Sequence, residues 1–183
     1  MARIPYIDVE TAPERTLHAL EGKRSINIFR LIAQSDNAAP EVLALGHVLS
    51  RGSSLPPVDR EVVILRVARL SQAAYQAHEH HAVALRHGFT EAKITAVAQY
   101  PAAGSAGHLT EFERHLIEFT DSVVQTTTAP DEVFTRIAAA YDNSRLVELV
   151  LMIGFYMMVG RVMNTFDVDL ETGPVGEFKT ASA

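Results

Sequence analysis

Apolar residues in this chain recur at three- and four-residue steps, in segments that open on capping residues or proline, and no segment keeps the alternation of a half-buried strand. That pattern restricts the fold class to all-α. The strongest segment runs from Pro57 to about Leu70, where Val58, Glu61, Val62, Leu65 and Ala68 share one side and Pro57 sits in the first turn. Glu61 therefore falls on or beside an apolar face, where an unpaired carboxylate is costly, and it should have a partner. A second helix is expected to start at a Ser71 cap, pass through the cluster Tyr75 to His81 and end at Gly88. These two adjacent helices form a natural hairpin. Further helices are expected from Ser25 to about Ala33, from Pro40 towards Leu49, and from a Thr90 cap to about Gln99. Three more follow: from Thr110 to Val124, with Glu113 at capping-box spacing, from Pro130 to about Ala140, and from Asn143 or Ser144 to about Thr165. The stretch to Glu21 reads as irregular chain with a short helical turn. Arg51 to Pro57 and Pro101 to His108 read as loops, and the chain beyond Asp167 as an extended or partly disordered arm. The sum is about eight helices.

With 183 residues and 48% apolar composition, the expectation is a single domain over 1–183 with a sizeable core. A formal net charge of -6 without a basic run removes the electrostatic case for nucleic acid or an anionic membrane. The sequence has no cysteine, so disulfides, thiolate nucleophiles and cysteine-ligated metals are excluded together. The N-terminus reaches acidic residues before any long apolar run, and a cytoplasmic location is expected. The longest apolar stretch, Leu146 to Met163, is broken by Glu148 and Arg161 and falls short of the roughly 20 uninterrupted residues of a membrane span. It reads as a buried helix or a subunit interface, and self-association is expected.

The chemistry concentrates in Tyr75-Gln76-Ala77-His78-Glu79-His80-His81. Histidine titrates near neutrality, which makes this the first place to look for proton transfer. On a helix, His78 and His81 are neighbours, as are Gln76 and His80, whereas His78 and His80 point apart. The cluster cannot act as one bundle of ligands, and no HExxH motif is present. His80 lies on the side of Ala73, Ala77 and Ala84, whose small side chains admit another helix. If Glu61 comes from that helix, its carboxylate can orient the His80 imidazole and stabilise the protonated ring. The alternative is a buried structural pair. Tyr75 could present a hydroxyl at a pocket mouth, and Tyr156, Arg161 and Asn164 could add donors for an anionic substrate, with Arg161 as carboxylate clamp.

The segments Arg60 to Ala68, Ala74 to Ala84 and His87 to Ile94, followed by Val147-Glu148-Leu149-Val150, Gly154-Phe155-Tyr156 and Val162-Met163-Asn164, resemble the carboxymuconolactone decarboxylase family of the alkylhydroperoxidase D-like superfamily. The resemblance implies an alkylhydroperoxidase D-like helical fold with a central helical hairpin, a family core over about 45–165, an N-terminal helical extension and a C-terminal arm. It places Glu61 and His80 at a proton-relay pair and Ala73 and Gln76 at two redox cysteines. Without those thiols the chain looks closer to the cysteine-free decarboxylase branch. For that branch the resemblance implies an acid-base lyase for a small unsaturated lactone or other carbonyl carboxylic acid, with no metal or organic cofactor. Glu61 and His80 are then the catalytic candidates; Tyr75, His81, Tyr156 and Arg161 are the substrate-binding candidates. Trimeric or hexameric homo-oligomers are implied as well. Hydrolysis, isomerisation, cysteine-independent peroxide chemistry and a non-catalytic small-molecule-binding or structural role stay open.

Overall fold

Glu61 to Ala68 are eight consecutive buried residues, so the helix that carries them, Pro57–Leu70, is enclosed on all sides rather than amphipathic. The computed structural model describes residues 1–173 and 175–178. Nine α-helices are present among them: α1 (Glu14–Leu20), α2 (Asn27–Ile32), α3 (Ala39–His47), α4 (Pro57–Leu70), α5 (Ala74–Arg86), α6 (Glu91–Gln99), α7 (Glu111–Thr126), α8 (Asp131–Ala138) and α9 (Asn143–Thr165). The described residues contain no strand, only one isolated antiparallel bridge between Arg24 and Glu177. The protein is all-α, as its periodicity dictates. The short turn expected before Glu21 is a two-turn helix, which accounts for the ninth. Two expected loops are partly helical: Val48–Gly52 winds as a π-helical turn and Ser105–His108 as a 3-10 turn.

Local signals explain three boundaries. Thr90 accepts from the Lys93 N–H at the start of α6, and Thr110 and Glu113 exchange both bonds of a capping box at the start of α7. Gly88 ends α5 with φ +85°, a left-handed conformation that a side chain resists. The expected Ser71 cap is incorrect. Ser71 instead closes α4, Gln72 takes φ 52°, and α5 starts from Ala73 without a side-chain cap. Burial of the hairpin's inner faces selects that start over the local capping preference.

The chain divides into two units, Met1–Gly52 with the chain from Met163, and Ser53–Val162. In the first, Ile7, Leu20, Ala33, Ala39 and Leu43 form the core, with Phe29, Ile32 and Phe178 packed against it. The expected C-terminal arm runs along Lys23 to Ser25 in this unit, through Ser25 N–H to Gly176 O and Phe178 N–H to Lys23 O. Its last residues lie outside the described ones.

In the second unit α4 packs against α5, α6 and α7. Arg66 ties three of these together: its guanidinium grips Asp121 of α7 through two bonds of 2.5 and 2.6 Å and donates to the carbonyls of Val97 and Ala98 around the end of α6. Helix α9 is long and apolar enough, by length and composition only, to cross a membrane. One side of it is buried within the protein, at Leu149, Met152 and Ile153, and Glu148 accepts from the Ser53 hydroxyl and the Ser54 N–H. Those bonds hold the Glu148 carboxyl below its usual range.

Candidate acid-base site

The buried carboxylate of α4 finds its partner on α5. Glu61 is 4% exposed, and its Oε2 lies 2.9 Å from His80 Nδ1, whose side chain is 18% exposed. The bond engages Nδ1, which leaves Nε2 as the ring nitrogen not committed to Glu61. Hairpin geometry produces the pair: α4 and α5 are joined by a short turn, and their facing sides bring Glu61 of one to His80 of the other.

A third helix completes the surroundings. Tyr156 of α9 meets the His80 ring edge to face, with centroids 5.1 Å apart and planes at 88°. Burial, and then the charge of Glu61, push the Tyr156 hydroxyl well above its ordinary pKa. It therefore stays a neutral phenol, able to donate a hydrogen bond but not to serve as a base.

The other candidates have different surroundings. Tyr75 is buried. His81 is 2.9 Å from Glu91 of α6, with its side chain 41% exposed, and so is held at the surface by a different carboxylate. Arg161 is exposed and folds back on its own helix, donating to the Met157 carbonyl. The structure thus brings Glu61, His80 and Tyr156 together, while His81 bonds Glu91 and Arg161 bonds its own helix. Among the described residues no group of three or more His, Asp or Glu is placed to hold a metal ion.

Ala73 and Gln76 are both buried, beside α9. The Gln76 amide donates from Nε2 to the Ile64 carbonyl of α4 at 3.1 Å. Its four-residue step from His80 is legible in the sequence, but its bond to a backbone carbonyl of another helix has no sequence signal. The same holds for a second polar cluster in this unit, where the Tyr141 hydroxyl donates to Asp59 Oδ2 at 2.6 Å.

Residues 40–107 match the family model of the carboxymuconolactone decarboxylase family. No curated protein matches the sequence. Among solved structures, the chain is similar to a protein of unknown function from Agrobacterium tumefaciens, described as a candidate antioxidant defence protein AhpD. The TM-score is 0.69 at 22% identity, over 82% of this chain and all of that one. It is also similar to an uncharacterised peroxidase-related protein with an alkylhydroperoxidase AhpD core from Ralstonia eutropha JMP134, with TM-score 0.78 and 15% identity over 93% of each chain. A third likeness is to the debrominase Bmp8, solved as its C82A variant with 2,3,4-tribromopyrrole: TM-score 0.71, 16% identity, 91% of this chain and 90% of that one. At these identities the likeness establishes the fold, which is AhpD-like and helical.

Proposed function

From a chain whose residues 40–107 match the carboxymuconolactone decarboxylase family model, on an AhpD-like helical fold, we propose a cysteine-independent acid-base enzyme of that superfamily, a lyase for small unsaturated lactone or other carbonyl carboxylic acids. The observation that carries the reading is the buried bond between His80 Nδ1 and Glu61 Oε2. A carboxylate on Nδ1 fixes the orientation of the ring and aims Nε2, the nitrogen through which the imidazole can exchange a proton with a substrate. In the proposed reaction the bond between the ring carbon and its carboxylate breaks and carbon dioxide leaves. The electron pair passes through the conjugated double bond to the lactone carbonyl oxygen. His80 then places its Nε2 proton on carbon and recovers one from water. Low exposure around the pair supports this chemistry, since charge developing in a water-poor site interacts more strongly with a fixed cation. A small planar ring suits the fold: Bmp8, which shares it, is solved with a brominated pyrrole.

Tyr156 is the donor proposed to orient the substrate against His80; Tyr75, His81 and Arg161 are kept as proposed substrate contacts to be tested by substitution. The assembly is proposed to be a homo-oligomer. The test is incubation with a panel of unsaturated lactone carboxylic acids, following carbon dioxide and product by mass spectrometry, for wild type, His80→Ala and Glu61→Gln. Turnover lost in both folded variants supports the reading. Turnover that survives His80→Ala overturns it.

A further inference from the structure

The three helices around the acid-base pair meet in two successive layers, one helical turn apart. In the first, Glu61 of α4, His80 of α5 and Tyr156 of α9 come together. In the second, one turn along each helix, Gln76 of α5 donates to the Ile64 carbonyl of α4 and faces Gly160 of α9. A Cβ on Gly160 would stand 3.4 Å from both Gln76 Oε1 and Ala73 Cβ, so α9 lies in close contact with this layer. Gln76 is 1% exposed, and no donor among the described residues reaches its Oε1.

An amide in that position is a poor stabiliser. Its oxygen loses hydration and gains no hydrogen bond. The carbonyl it bonds lies inside α4, where the helix's own ladder already provides a donor. An apolar side chain of the same length would fill the space without the unmet acceptor. What the amide supplies is direction: one bond fixes where α5 sits along and around α4, a turn from His80.

We propose that Gln76 is a positioning residue of the acid-base site, holding α5 on α4 in the register that brings His80 Nδ1 to Glu61 Oε2. The proposal rests on the reading of Glu61 and His80 as the working pair. It follows that Gln76 can be lost with little effect on the fold and a large effect on the pair, because a displacement of about 1 Å at a reacting group costs on the order of a hundredfold in rate.

The test uses the full chain with Gln76→Met, Gln76→Leu and Glu61→Gln beside wild type. The nitrogen shifts of the His80 ring, read by NMR through its carbon-bound protons, report which nitrogen carries the proton, and thermal unfolding reports the fold. The expected result is a melting temperature at or above wild type in Gln76→Met, with the His80 nitrogen shifts moving away from their wild-type values towards those of Glu61→Gln. Gln76→Leu is expected to behave alike. Unchanged nitrogen shifts overturn the proposal. So does a changed pattern accompanied by a lower melting temperature or loss of folding, since the amide is then a support of the whole unit. Glu61→Gln separates the two ideas: if it moves the His80 shifts and Gln76→Met does not, only the positioning role fails. If it leaves them in place, the pair itself fails.

Discussion

Tyr141 and Asp59 show how a single hydrogen bond sets a pH dependence. Burial is the largest influence on Asp59 and pushes its carboxyl above the usual range, while the Tyr141 hydroxyl pulls the other way by donating to the charged form. Glu113 pushes up; Lys93 and Arg145 pull down. A carboxyl whose pKa is raised by folding binds its proton more tightly in the folded state, so its contribution to stability grows as pH falls through that pKa and is lost as pH rises above it. Tyr141→Phe removes the donor and leaves the charged carboxylate poorly solvated. We expect a loss of about 1–2 kcal/mol near neutral pH, shrinking as Asp59 becomes protonated, measured by denaturant unfolding across pH. A penalty that grows on acidification contradicts this account. The site obeys the same residue-level logic. The sequence shows that Glu61 needs a partner and that His80 faces small side chains, and the structure joins them. It does not show that His81 pairs with Glu91, because that partner comes from α6 and helix periodicity carries no information about the next helix.

Helix boundaries were legible wherever a local chemical device sets them, and the capping box of α7 is the clearest case. Thr110→Ala is expected to lower stability by about 1 kcal/mol in denaturant unfolding, through loss of the bond to the Glu113 N–H. The start of α5 departs from the capping pattern because Ser71 has the side chain of a cap but lies where α4 finishes. Between elements a buried link is Arg66, which serves Asp121 and two carbonyls at once. Arg66→Met leaves all three without their donor, and a loss of about 3 kcal/mol is expected. Arg66→Lys should recover only part of it, since an ammonium cannot reproduce the planar two-bond grip on Asp121. Full recovery by lysine, read from melting temperature, rules out the forked geometry as the source.

At the scale of the whole molecule, the unpartnered surface of α9 bears on the proposed assembly. Val147, Val150, Leu151 and Met158 are exposed on it, and Gly154 stands among them with nothing near its missing Cβ. Such a stripe favours coverage. Self-association predicts that light scattering at micromolar concentration gives a mass above one chain, and that Leu151→Glu reduces it to one chain without lowering the melting temperature of the unit. A monomer mass for the wild-type protein removes the assembly. Sequence by itself determined the all-α class, the main helices and the concentration of acid-base side chains, because spacing, caps and side-chain pKa are local properties of a chain. Tertiary structure alone decided that α4 is enclosed on every side, that the tail returns to Lys23, and that Tyr156 and Gln76 stand in successive layers beside His80. Those outcomes depend on how buried faces from distant segments fill a common volume, and packing of that kind is a property of the folded whole.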